Sequence, residues 1–410
     1  MNTLNIIQKN TILYSAIIVV ICWAFLEGWF PFVRRQWIFL GLGLVASFFT
    51  SQKFFQTKRF QVLMGYMLVI FLNVLAGDKY FPGTADMLIE IFSLAFPAAL
   101  LVYAYNSTRK DIIIILFSFF FVLIISAWAS LLIDKFMIPG AIRQMTMLHY
   151  LEGKDSVYAY YRLGLSSYSF PHALPILVPP LVMGVKSKKI AKKLKLKILF
   201  LLVSTLLLVW LSGIMTALLL TILFLLMSYF THEDTIWRNI RRLSIIFIMF
   251  LPLLSPTVMR PVARYAMEIT GEESDYYKKI ADYERGLASE YASGGDDWES
   301  RQNLYDQSLS GFTENIIWGS NSKVGGHSSF LDRLGVLGLL GFIPLIWFFF
   351  LQLKAGAMQI PLRNRIYYFE GCLAGIMMLS LKSAFYPVFF IVLFIILPLI
   401  SSFISGKENR

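Results

Sequence analysis

Charge is what this sequence has least of. Only 15% of its 410 residues are Asp, Glu, Lys or Arg, against roughly a quarter in an ordinary soluble domain. Histidine occurs four times and cysteine twice. Cys22 and Cys372 both fall inside apolar runs, where a thiol behaves as a small hydrophobe. Neither a disulfide framework nor a Cys-based metal site is expected. The sequence also lacks a GxxxxGKS/T phosphate loop, a GxGxxG turn after a strand, an HExxH pair and a paired-carboxylate motif. No internal repeat or low-complexity segment is evident. Any reaction run by this chain must therefore draw its energy from the substrate, and neither cofactor nor metal is expected.

Apolar residues are abundant instead: 57% are hydrophobic and 16% aromatic. Runs such as "DIIIILFSFFFVLIISAWASLLID" and "PVFFIVLFIILPLISSFI" reach or approach the 20 or so residues that cross about 30 Å of hydrocarbon. Apolar blocks between polar breaks give about twelve spans, near residues 12–26, 37–50, 60–77, 88–105, 111–133, 173–185, 198–212, 214–230, 245–259, 335–353, 367–384 and 387–404. The first has no small-residue cleavage site behind it and reads as a retained helix rather than a signal peptide. The 33-residue run 198–230 is too long for one helix of ordinary tilt, and Ser212 and Gly213 at its middle read as a tight hairpin. The expected fold is an all-α polytopic membrane protein.

The net charge of +12 would suggest a nucleic-acid partner in a soluble protein, but here its placement relative to the bilayer matters first. The loop "KSKKIAKKLKLK", residues 186–197, has seven lysines and no carboxylate, which assigns it to the cytoplasm. Alternation from there places both termini inside and two long loops outside, 134–172 and 260–334. The second has eight basic and thirteen acidic residues, and its stretch "ESDYYKKIADYERGLASEYASGGDDW" reads as an amphipathic helix ending at Gly294 and Gly295. The chain divides accordingly into residues 1–259 with nine spans, the outer loop 260–334 with short helices, and 335–410 with three spans. Arg34 and Arg35 fall on the outer side and fit this scheme least well.

Candidate chemistry lies on the outer face. His327, in "GGHSSFLDRLG", follows Gly325 and Gly326 and precedes Ser328 and Ser329, natural N-cap residues for the tenth span. The positive end of that helix favours a neutral imidazole that can act as a base, although a capping histidine fits equally well. Asp332 and Arg333 can orient His327 or bind substrate, or serve as interfacial anchors. Arg162 and Arg301 sit in the outer loops, and Arg260 and Arg264 flank the exit of the ninth span. Guanidinium forks suit a lipid diphosphate, whereas solvated salt bridges are the plainer explanation. Lys382, near the outer end of the eleventh span, either serves function or snorkels. Glu370 reads as interfacial, His232 as a solvated loop residue, and His149 and His172 as interfacial or packing residues.

The stretch "ESRQNLYDQSLSGFTENIIWGSNSKVGGHSSFLDRLGVLGLLGF" resembles the large-loop signature of the O-antigen polymerase and O-antigen ligase superfamily. It shows a Ser-Arg pair, a short helix, a Gly-containing turn, then His before a Gly-rich span. "RLGLSSYSFPHALPILVPPLV" resembles the other outer loop of that family, and "LLLVWLSGIMTALLLTIL" occupies the place of a third motif. The resemblance covers residues 162 to 342. It implies a glycosyltransferase of the C-type membrane fold, acting without nucleotide or metal on undecaprenyl diphosphate-linked oligosaccharides at the periplasmic face of the bacterial inner membrane. It further implies His327 as the base on the acceptor hydroxyl, Arg162 and Arg301 as diphosphate ligands, inversion at the anomeric carbon, and a separate membrane partner that controls chain length.

Two departures stand out. Ile214 and Met215 occupy the place where a basic residue often follows the serine, a contact that Lys382 or Arg264 would have to replace. Ser328 follows the histidine where ligases commonly have Asn. The expectation is a repeat-unit polymerase. Ligation onto a lipid A core or another surface acceptor is the alternative enzyme, and a lipid-linked glycan transporter is the alternative of another class, though the inverted repeats common in transporters are missing.

Overall fold

A computed structural model describes residues 52–76, 84–106, 109–136, 169–212, 214–231, 296–320 and 325–408, with single positions at 15, 18, 19, 264, 265, 267 and 268. Every regular element among the described residues is helical. Besides a single turn at Gln52–Phe55 and a 3₁₀ turn at Leu362–Asn364, they include α1 (Lys58–Leu75), α2 (Thr84–Asn106), α3 (Arg109–Phe136), α4 (Ser169–Ala173), α5 (Val178–Lys186), α6 (Lys192–Leu211), α7 (Met215–Phe230), α8 (Asp296–Glu314), α9 (Ser329–Ala357), α10 (Arg365–Leu381), α11 (Pro387–Ile391) and α12 (Leu397–Glu408). A 3₁₀ turn, Leu174–Leu177, joins α4 to α5, and a π segment, Val392–Ile396, joins α11 to α12. The anticipated spans at 37–50 and 245–259, the amphipathic helix before Gly294, and Arg34, Arg35, Arg162, Arg260, His149 and His232 lie outside the described residues. So does nearly all of the span at 12–26.

The protein is membrane-embedded. Among the described residues five helical stretches are long and apolar enough to cross a bilayer: Lys58–Leu75, Ile112–Leu132, Lys192–Leu211, Ser329–Ala357 and Pro387–Gly406. Three shorter apolar helices accompany them, Ile89–Tyr105, Phe170–Lys186 and Met215–Phe230. Their order inside the bundle follows from burial. The window in Pro387–Gly406 is 89% buried, against 28–44% in the other four, so this segment forms the interior post. Every residue from 170 to 184 is buried as well, which is why that run is apolar on all sides instead of along one stripe. Outer helices turn Phe117, Phe121, Leu219, Trp347 and Phe350 outward, as a lipid-facing surface requires.

The long run 198–230 resolves into α6 and α7, separated at residues 212–214, and α5 packs against both. Within that break Ser212 Oγ donates to Val209 O at 2.7 Å and accepts from Ile214 N at 3.3 Å. The serine thus ends α6 and is tied to Ile214, the residue before α7. Glu370 is only 2% exposed; its carboxylate accepts from Ser228 Oγ at 2.7 Å and from Thr231 Oγ1 at the end of α7, so hydroxyl partners shield it from solvent and lipid. One expectation needs correction. The tenth span begins at Ser329 instead of 335. Hydropathy misplaces that start because Asp332 and Arg333 are polar, yet both are buried in the first turns of the helix.

α9 is broken at Gly338, where φ is 55° and ψ is −161°. The backbone amides beyond the break lose their helical acceptors, and the chain after α8 supplies new ones: Leu339 N donates to Ile316 O at 2.9 Å and Leu340 N to Ile317 O at 3.0 Å. Ser320 N returns a bond to Gly335 O at 3.0 Å. Helix α8 is thereby stitched by backbone bonds to the membrane helix that carries the candidate site. A Cβ on Gly338 would lie 2.5 Å from Ile317 O, and its φ and ψ fall in a region that is essentially glycine-only, at about 1–3 kcal/mol for other residues. Gly338→Ala should therefore lower thermal stability by at least that amount and expose α8 to protease. An unchanged digestion pattern would show that the stitching is dispensable.

Candidate functional site at the start of α9

Ser328 is the N-cap of α9, its Oγ accepting from Leu331 N at 3.2 Å. This fixes where the helix starts and places His327 just before it. The preceding glycines are held from below. Asp332 Oδ1 accepts from Gly326 N at 3.1 Å and from Ser308 Oγ of α8 at 2.7 Å. A side chain at Gly325, where φ is +43°, would run into Ser308 Oγ at 2.2 Å and Asp332 Oδ1 at 2.8 Å. Only glycine passes there. Asp332 thus holds the turn that precedes His327.

The opposite wall comes from the end of α10. Lys382 is the residue immediately after that helix, and its carbonyl accepts from Ser329 N at 3.1 Å and Ser329 Oγ at 3.0 Å. Ala384 N donates back to Ser329 Oγ at 2.8 Å. One serine at the first turn of α9 therefore pins the backbone on both sides of residue 383. The consequence is a close approach of two side chains: Lys382 Nζ lies 3.1 Å from His327 Nε2. Tyr305 of α8 closes a third side, its ring edge-on to His327 with centroids 5.7 Å apart and its hydroxyl donating to Leu381 O at 3.0 Å. His172 of α4, 1% exposed, lies within electrostatic reach of both Lys382 and His327. Groups from α4, α8, α9 and α10 converge on one point.

Beneath this point lies an ion pair. Arg333 Nε donates to Glu90 Oε1 at 2.7 Å and Nη2 to Glu90 Oε2 at 2.5 Å, while Nη1 donates to Ser329 O at 3.0 Å. Tyr66 of α1 adds a hydroxyl to Glu90 Oε1 at 2.7 Å, and Phe385 lies under the guanidinium with its centroid 3.3 Å from Cζ. Both charged side chains are at most 5% exposed. Arg333 is therefore neither an interfacial anchor nor turned toward solvent; it ties α2 and α1 to the first turn of α9.

Of the residues singled out from sequence, His327, Lys382, Asp332 and Arg333 are brought together. Arg301 lies on α8 one turn before Tyr305, and Arg264 is exposed. Sequence reasoning passed over Glu90, Tyr66, Tyr305 and Ser308. A signal for Glu90 existed, since a lone carboxylate in the apolar stretch "MLIEIFSLAF" is costly without a partner. Nothing in "NLYDQS" set Tyr305 or Ser308 apart, because their importance comes from the docking of α8 on α9. His172 had been read as an interfacial or packing residue, and its burial suits packing while its neighbours suggest more. Comparison with protein-family models finds no match for the chain, and none of the curated proteins matches it.

Proposed function

We propose that the protein is a surface-polysaccharide polymerase, an inverting glycosyltransferase that moves an oligosaccharide from undecaprenyl diphosphate onto the sugar of a second lipid-linked repeat unit. In this reading the site faces the periplasm, both termini are cytoplasmic and the membrane is the bacterial inner membrane. The observation that carries the reading is the pairing of His327 with Lys382 at 3.1 Å at the head of a membrane helix. An imidazole can take a proton from a hydroxyl, and an ammonium can stabilise the charge that develops on a leaving diphosphate. A prenyl diphosphate is already activated, so the two groups supply what the transfer needs. Arg301, a turn from Tyr305 on α8, and Arg162 are assigned to the diphosphate, with Arg260 and Arg264 as further contacts. Asp332 and Arg333 are assigned support of the turn and helix that hold His327.

The test is incubation of purified protein with lipid-linked repeat units. A ladder of products is expected. A single product on a core acceptor would make the protein a ligase, and movement of lipid-linked glycan across a vesicle membrane without bond formation would make it a transporter. Arg162→Ala and Arg301→Ala should weaken use of the lipid diphosphate far more than Arg285→Ala, a change in the stretch read as an exposed amphipathic helix. Equal losses at all three positions would remove the diphosphate clamp.

A further inference from the structure

The proposed roles of His327 and Lys382 compete for one lone pair. An ammonium has three donors and no acceptor, so Lys382 at 3.1 Å engages Nε2 of His327 as an acceptor. The imidazole then carries its proton on Nδ1. A general base, however, must offer that same nitrogen to the hydroxyl it deprotonates, at about 2.6–3.2 Å. Both bonds cannot be made at once. We propose that Lys382 holds His327 until the anionic headgroup of the donor draws the ammonium away, so that donor binding arms the base; this rests on the diphosphate reading above.

Local structure permits only the side chain to move. The Lys382 backbone is fixed by its carbonyl bonds to Ser329 and by its amide, which donates to Met378 O at 2.8 Å. Its four-carbon stem remains rotatable. An ammonium bonded to a diphosphate adds the attraction of two opposite charges, which a neutral imidazole lacks, so a diphosphate outcompetes the imidazole. His327 itself stays in place, since Tyr305 flanks its ring and Ser328 and Asp332 hold its backbone neighbours. His172 is buried and lies within electrostatic reach of both groups.

The transfer then balances. The acceptor oxygen bonds to the anomeric carbon as its proton passes to Nε2. The bond from that carbon to the diphosphate oxygen breaks, and its electron pair remains on the diphosphate beside Lys382. Departure of undecaprenyl diphosphate and loss of the proton from His327 to water return the lysine to Nε2. The order of binding follows: donor first, acceptor second.

The test is the nitrogen spectrum of His327 in full-length protein labelled with ¹⁵N-histidine and held in lipid nanodiscs, the signal being assigned by its loss in His327→Gln. With the wild-type protein we expect an Nδ1-protonated ring whose Nε2 resonance moves when inorganic pyrophosphate is added. In Lys382→Met that resonance should start at a different position and ignore pyrophosphate, while Lys382→Arg should keep a response. If pyrophosphate leaves the wild-type signal unmoved, or moves it equally in Lys382→Met, the arming role is wrong. Should the Met variant not fold, the wild-type titration alone decides. No turnover is needed, so a pyrophosphate response without a product ladder would overturn only the polymerase, and a ladder without the response would overturn only the arming.

Discussion

Replacing His327 with alanine should lower the polymerisation rate by about 10²- to 10⁴-fold, the usual contribution of a general base, while leaving the fold intact. The second half of this expectation comes from the structure. Helix α9 is capped by Ser328 and not by His327, and the turn before it is held through the backbone of Gly326 by Asp332. The imidazole is therefore not what starts the helix, which removes the capping role left open by the sequence. Its contacts are side-chain ones, with Lys382 and the edge of Tyr305. The measurement is initial rate with lipid-linked repeat units, normalised to protein that unfolds at the wild-type temperature. A folded variant within about tenfold of the wild-type rate, well under the range for a base, would take His327 out of the proton transfer.

The sequence made the membrane plan legible because burial in lipid leaves a crude signature. Nine of the anticipated spans, from 60–77 through 387–404 and excepting 245–259, overlie described helices. Composition could not rank them by depth, however. The interior segment Pro387–Gly406 and the peripheral Ile112–Leu132 share a mean hydropathy of 2.8, yet differ between 89% and 39% buried. An apolar side chain is acceptable to lipid and to protein alike, so hydropathy cannot tell them apart. The same blindness put the span's start at 335, although Ser328 and Ser329 had marked the head of the helix. Asp332 and Arg333 fitted interfacial anchors as well as any other role, and only the arrival of Ser308 from α8 and Glu90 from α2 explains how they are buried. His327 was visible through its serines and glycines, which are local. Its partner Lys382 is 55 residues away, and no spacing in the sequence announces that they meet.

Glu90→Ala should be among the most destabilising single changes in the protein, at about 3–5 kcal/mol, because it leaves the Arg333 guanidinium buried without its carboxylate. Removing Arg333 as well should recover most of the loss. A Glu90→Leu, Arg333→Met double variant takes out both desolvated charges and keeps apolar volume, and such replacements are often neutral or stabilising. The Tyr66 hydroxyl would then lose its acceptor at 2.7 Å, so a residual cost of about 1–3 kcal/mol from that orphaned donor is expected. Tyr66→Phe in the same background should relieve it. Unfolding of each variant in a fixed detergent gives the comparison, and a Glu90→Ala cost below about 1 kcal/mol, the level of an exposed pair, would mean that the pair is open to water. The pair also bears on function. Arg333 Nη1 binds the carbonyl of Ser329, and Ser329 holds the backbone of Lys382. A stable double variant should therefore show whether an apolar core can hold Lys382 within reach of His327. If its rate falls while its stability does not, the buried charges serve to aim the lysine, and their desolvation is a cost accepted for geometry.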